Sequence, residues 1–92
     1  MTDIRVQRQL KMTQEQALEA ATKVADKLAR EYGVNFLWQG ASARINGPGV
    51  KGNCEVTDGN VDIRLSLGFL VAPFAAKVEA EIERYFDKLD QE

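Results

Sequence analysis

Cys54 is the only cysteine in this 92-residue sequence, and the chain contains no histidine to take its proton. Without that base the thiol stays protonated at neutral pH and makes a poor nucleophile. Val50, Gly52, Cys54 and Val56 alternate with Lys51, Asn53, Glu55 and Thr57, which puts the sulfur on the apolar phase of a strand, as a small core residue. The missing imidazole also removes the commonest metal ligand, so any acid–base chemistry would fall to carboxylates and lysines. Glu79, Glu81, Glu83 and Asp87 are spaced as the wet side of a helix, not as a facing pair. The residues point away from an enzyme and from a metal or cofactor site.

Gly47-Pro48-Gly49-Val50-Lys51-Gly52 satisfies the letter pattern GxGxxG. A dinucleotide-binding turn must open a helix whose N-terminus holds the pyrophosphate, and these glycines lie between two strands. A hairpin followed by a glycine-softened strand explains them better. Arg5, Arg44, Lys51 and Arg64 fall on the polar phase of the strands against Glu55 and Asp62, a mild basic excess. An RNA-binding sheet would add exposed aromatics to that face, yet Phe36 and Trp38 share the apolar phase. With 12 basic and 14 acidic residues and a net charge of −2, no bulk field favours nucleic acid as a partner.

Gly68-Phe69-Leu70-Val71-Ala72-Pro73 stands apart, because six residues without a charge exceed what one short connection needs. On the simpler reading Phe69 and Val71 plug the end of the core beside Trp38. On the other, some of these side chains face out and dock a hydrophobic surface, an apolar ligand or another subunit. The candidate binding residues are accordingly Phe69, Leu70, Val71, Phe74 and Trp38.

The elements that position this hinge follow from periodicity. Ile4 and Val6 alternate with Arg5 and Gln7 in a first strand over Ile4 to Arg8. Thr13 and Gln16 match a capping box, and Leu18, Ala21, Ala25, Leu28 and Tyr32 form the stripe of a helix that Gly33 ends. Val34, Phe36 and Trp38 mark a second strand, with a tight turn at Gln39-Gly40, and Ala41, Ala43 and Ile45 mark a third. Asn46-Gly47-Pro48-Gly49 turns into the strand of Cys54, and Asp58-Gly59 is a type I′ hairpin signal leading into Val61, Ile63, Leu65 and Leu67. A closing helix begins near Pro73, with Phe74, Val78, Ile82, Tyr85, Phe86 and Leu89 as its stripe.

The expected fold is α+β, a two-layer sandwich in the order β-α-β-β-β-β-α. Its sheet is mostly antiparallel, in the order 2-3-4-5-1 if the first strand pairs with the fifth, with both helices on one face. Residues 1–92 are expected to form a single domain. The core is expected to be filled by Phe36, Trp38, Tyr85 and Phe86. A domain of this size buries only about 60% of its unfolded surface, so a homodimer is a fair expectation where a single cysteine excludes an internal disulfide. No stretch has the pattern of a signal peptide or the length of a transmembrane segment, which points to the cytoplasm.

Three pieces carry a resemblance: IRVQR from Ile4 to Arg8, LAREYGV from Leu28 to Val34 followed by FLWQG, and LGFLVAPFAAKVEAEIERYFDKL from Leu67 to Leu89. Together they make the chain resemble the polyhydroxyalkanoic acid system family, small bacterial proteins encoded near genes for polyester storage. The resemblance implies a cytoplasmic, granule-associated, non-catalytic accessory protein whose partner is the polyhydroxyalkanoate granule or a granule protein. It brings no catalytic residues and no cofactor. The chain is also similar, more weakly, to a reduced helix-grip fold, which would imply a small hydrophobic or acyl ligand between the C-terminal helix and the sheet.

Overall fold

A computed structural model describes residues 2–90. Its elements are β1 (Thr2–Gln9), α1 (Gln14–Tyr32), β2 (Asn35–Gln39), β3 (Ser42–Gly47), β4 (Val50–Thr57), β5 (Asn60–Leu67), a 3-10 turn (Ala72–Phe74) and α2 (Ala75–Asp90). The five strands form one sheet in the order β1-β5-β4-β3-β2, every neighbouring pair antiparallel. The expected α+β order is therefore present, and β1 and β2 run the same way at opposite edges.

Local chemistry explains most boundaries. The Thr13 hydroxyl accepts from the Gln16 amide while the Gln16 side chain accepts from the Thr13 amide, closing the capping box. Gly33 ends α1 with φ +68° and donates its amide to the Ala29 carbonyl. Asp58 and Gly59 both take positive φ, 51° and 80°, the type I′ geometry that matches strand twist. That hairpin tip is locked to the start of the chain: Leu10 donates to the Gly59 carbonyl, and Gln14 bonds the Gly59 amide and the Val56 carbonyl.

One phase of the sheet is buried and the other is open. Ile4, Val6, Ala43, Ile45, Cys54, Val56, Val61, Ile63, Leu65 and Leu67 form one cluster with Ala17, Ala21, Val24 and Leu28 of α1 and Val78, Ile82 and Phe86 of α2. The buried stripe of α1 is shifted from the expected one, since Leu18 lies at its margin while Ala17, Ala20 and Val24 are buried. Alanines leave room for the helix to approach the sheet closely. The aromatic core is also smaller than expected. Phe86 is fully buried, but Phe36, Trp38 and Tyr85 are only partly buried around the cluster, and aliphatic side chains fill its centre.

Several boundaries differ from the sequence reading, and β1 for one runs over Thr2–Gln9, longer at both ends than Ile4 to Arg8. The β2–β3 turn is Gly40-Ala41 and not Gln39-Gly40, because Gln39 pairs with Ser42 and Gly40 supplies the positive φ. The closing helix opens with a 3-10 turn around Pro73 before the α-helix starts at Ala75. Arg8 then ties β1 to α2 through a 2.6 Å ion pair with Asp87.

Candidate functional site

The connection from β5 to α2 is a tight turn pinned on both sides. Gly68 donates its amide to the Gly49 carbonyl at 2.8 Å, and the amides of Val71 and Ala72 return to the Gly68 carbonyl at 3.1 and 3.0 Å. Phe69 and Leu70 occupy the two corners of that turn, where side chains point away from the chain they reverse. They are 88% and 83% exposed, so Phe69 does not plug the core. Val71 does face inward, packing on the core beside Gly49. Phe74, 54% exposed, lies one turn further on, where the Val71 carbonyl accepts its amide.

Trp38 is not part of this patch. Register places it in the row Trp38, Ala43, Cys54, Ile63, Val6, whereas the hinge leaves the sheet from the row of Gly47, Val50 and Leu67. On the same face of the sheet one full row, Phe36, Ile45, Gly52 and Leu65, lies between them. The aromatic nearer the hinge is Phe36, which stacks on Trp38 with ring centres 6.4 Å apart.

Beside the turn, an apolar pocket of about 100 Å³ opens between the helices and the sheet. Its lining includes Tyr32, Phe36, Pro48, Val71, Phe74 and Val78. Ligand pockets run to about 300 Å³ and more, and a dry cavity of about 150 Å³ takes a benzene, so this one admits a branch of a few carbons. At its rim the Tyr32 hydroxyl donates to Glu81 at 2.7 Å, joining α1 to α2. Burial and the negative Glu81 raise the Tyr32 hydroxyl above the usual phenol range, while the same hydrogen bond holds the Glu81 carboxyl below the usual carboxylate range. Nearby, Lys27 stands 4.9 Å over the Tyr85 ring. These residues are far apart in sequence, and no local spacing marks them as neighbours.

Cys54 is buried, and burial first, then the Asp62 and Glu55 charges, push its thiol up to about 12. It is not poised as a nucleophile. No group of three or more potential metal ligands occurs among the described residues, and no described helix is long and apolar enough to cross a membrane. On the open sheet face, Asp62 accepts from Arg5 and Arg64 together, which neutralises part of the basic excess.

The hinge thus gathers two large apolar side chains on a pinned turn, a third behind them, and a small apolar pocket alongside. Neither a curated protein nor a solved structure matches the chain. A family model does, the one described as "Putative polyhydroxyalkanoic acid system protein", over residues 4–89 and hence over the hinge and both helices. The chain belongs to the polyhydroxyalkanoic acid system family.

Proposed function

We propose that this is a non-catalytic accessory protein of polyhydroxyalkanoate metabolism that docks on the polyester granule, or on a protein coating it, through Phe69, Leu70, Val71 and Phe74. The observation that carries the reading is the exposure of Phe69 and Leu70 side by side on a turn held by backbone hydrogen bonds. Single exposed apolar residues are ordinary, but adjacent ones on a rigid tip form a surface that gains by leaving water. A rigid tip also loses little conformational entropy on adsorption. Val71 serves as the anchor that sets the tip, and Trp38 has no part in it. The test is co-sedimentation with washed polyester granules, comparing the native chain with the Phe69→Ser, Leu70→Ser double variant. Retention of the folded variant at native levels would end the proposal.

A second reading, a helix-grip binder of an acyl ligand, draws on the apolar pocket under Val71 and Phe74. At about 100 Å³ that pocket has room for an alkyl branch and not for a whole ligand. Thermal shift with soluble 3-hydroxyacyl compounds separates the two, since specific stabilisation belongs to this reading alone.

A further inference from the structure

We infer that β2 is the pairing edge for a second copy of this chain, joined antiparallel and centred on Leu37. The two edges of the sheet are treated differently. On β1 the exposed side chains include Asp3 and Arg5, the latter held by Asp62, and Arg8 is engaged by Asp87. Charges of this kind keep an edge from pairing with another chain. On β2, Asn35-Phe36-Leu37-Trp38-Gln39 carries neither a charge nor a proline.

Register fixes which amides are available. The two-residue turns Gly40-Ala41 and Pro48-Gly49 close on Gln39 with Ser42 and on Gly47 with Val50, and Val56 donates to the Ala41 carbonyl. The ladder alternates, so Asn35, Leu37 and Gln39 spend their amides on β3, while Phe36 and Trp38 turn theirs outward. Two copies centred on Leu37 set each Phe36 opposite the other copy's Trp38, the hydrogen-bonded pairs of the new ladder. Leu37 then faces its own equivalent in the close, non-bonded pair. The pairing is self-complementary, as a two-fold interface must be.

The side chains agree with the backbone. Leu37 is 64% exposed on the open face, with nothing to cover it in one copy. Phe36 and Trp38, stacked and half-buried on the other face, would meet the partner's aromatics as cross-strand pairs. Arg44, opposite Leu37, lies on β3, so the two arginines stay separated by both β2 strands.

The test is mass by sedimentation or light scattering across a concentration series, with folding followed by circular dichroism. The native chain should move toward twice the monomer mass as concentration rises. Leu37→Lys, which sets like charges directly opposite, should stay folded and weaken the dimer by about tenfold or more. Under oxidation Leu37→Cys should cross-link to itself, the Cα separation of about 4.5 Å lying inside the disulfide range. Gln39→Cys, displaced from its own equivalent, should not. Phe69→Ser with Leu70→Ser should leave the dimer intact, which keeps this result independent of the granule reading. A monomer at every concentration, a dimer indifferent to Leu37→Lys, equal cross-linking at Gln39→Cys, or a dimer lost with the Phe69 and Leu70 substitutions would each overturn the assignment.

Discussion

Replacing Phe69 and Leu70 by serine should release the protein from polyester granules without unfolding it. Complete transfer of a Leu or Phe side chain from water is worth about 1.5–3 kcal/mol. Scaled by the observed exposures of 88% and 83%, the pair offers about 3–5 kcal/mol if wholly covered. A surface met from one side covers about half of each, leaving about 1.5–2.5 kcal/mol, or a fall in the partition constant of about tenfold to somewhat under a hundredfold. Stability should hold to within about 0.5 kcal/mol, because neither side chain packs on the core and serine suits turn corners. The assay is a depletion isotherm on washed granules at several salt concentrations. Apolar adsorption should survive added sodium chloride and tighten in sulfate. Native-level binding by a folded double variant, or loss of binding in salt, would refute the reasoning.

Other outcomes follow from particular contacts. A Cβ at Gly52 would run into the Arg64 carbonyl, backbone that cannot swing aside, so Gly52→Ala should lower the urea midpoint by the equivalent of about 2–3 kcal/mol; an unchanged midpoint would rule out that close approach. The hydrogen bond from Arg5, with the nearby Arg5 and Arg64 charges, holds the Asp62 carboxyl below its ordinary 3.8. Its stabilisation is therefore present above that value and lost as pH falls through the lower folded one, and Asp62→Asn should flatten the acid limb of stability against pH. For Cys54 the sign is opposite: the folded thiol keeps its proton between its ordinary 9.0 and about 12 while the unfolded one loses it. Cys54 should thereby lower stability across that window by about 1.4 kcal/mol per pH unit, a component that Cys54→Ala removes while the raised Tyr32 hydroxyl keeps its own. The native thiol should stay silent to Ellman's reagent at pH 8 until denaturant is added.

Features written in short-range chemistry were readable from the sequence. Thr13 with Gln16, Gly33 and Asp58-Gly59 each specify a backbone state by themselves, and the period-2 alternation of Val61 to Leu67 assigns its buried face. The misplaced turn at Gly40-Ala41 marks the limit of that signal, since alternation names a face but not a strand's last residue. The phase of Trp38 names its face of the sheet but not its distance from the hinge. Three successive registers, β2 on β3, β3 on β4 and β4 on β5, are needed to see that it sits two rows away. The direction of Phe69 was unreadable for a further reason. An irregular segment has no period, so whether a side chain plugs or protrudes depends on where the Gly68 to Gly49 hydrogen bond fixes the turn.

The other reversals of this chain show what the hinge would contain if it had only to connect. Each hairpin turn, Gly40-Ala41, Pro48-Gly49 and Asp58-Gly59, uses residues that are small or that suit the dihedrals required, and none exposes a large apolar side chain. At the β5 to α2 turn the backbone work is done by Gly68, by Val71 as inward anchor and by Pro73 at the helix start. Phe69 and Leu70 add nothing to that work, and their exposure contradicts the turn chemistry the rest of the chain obeys. Where local chemistry and fold disagree without a structural gain, the cause is expected in function. The disagreement here is confined to two side chains, so serine at both positions should abolish the proposed docking while leaving stability in place.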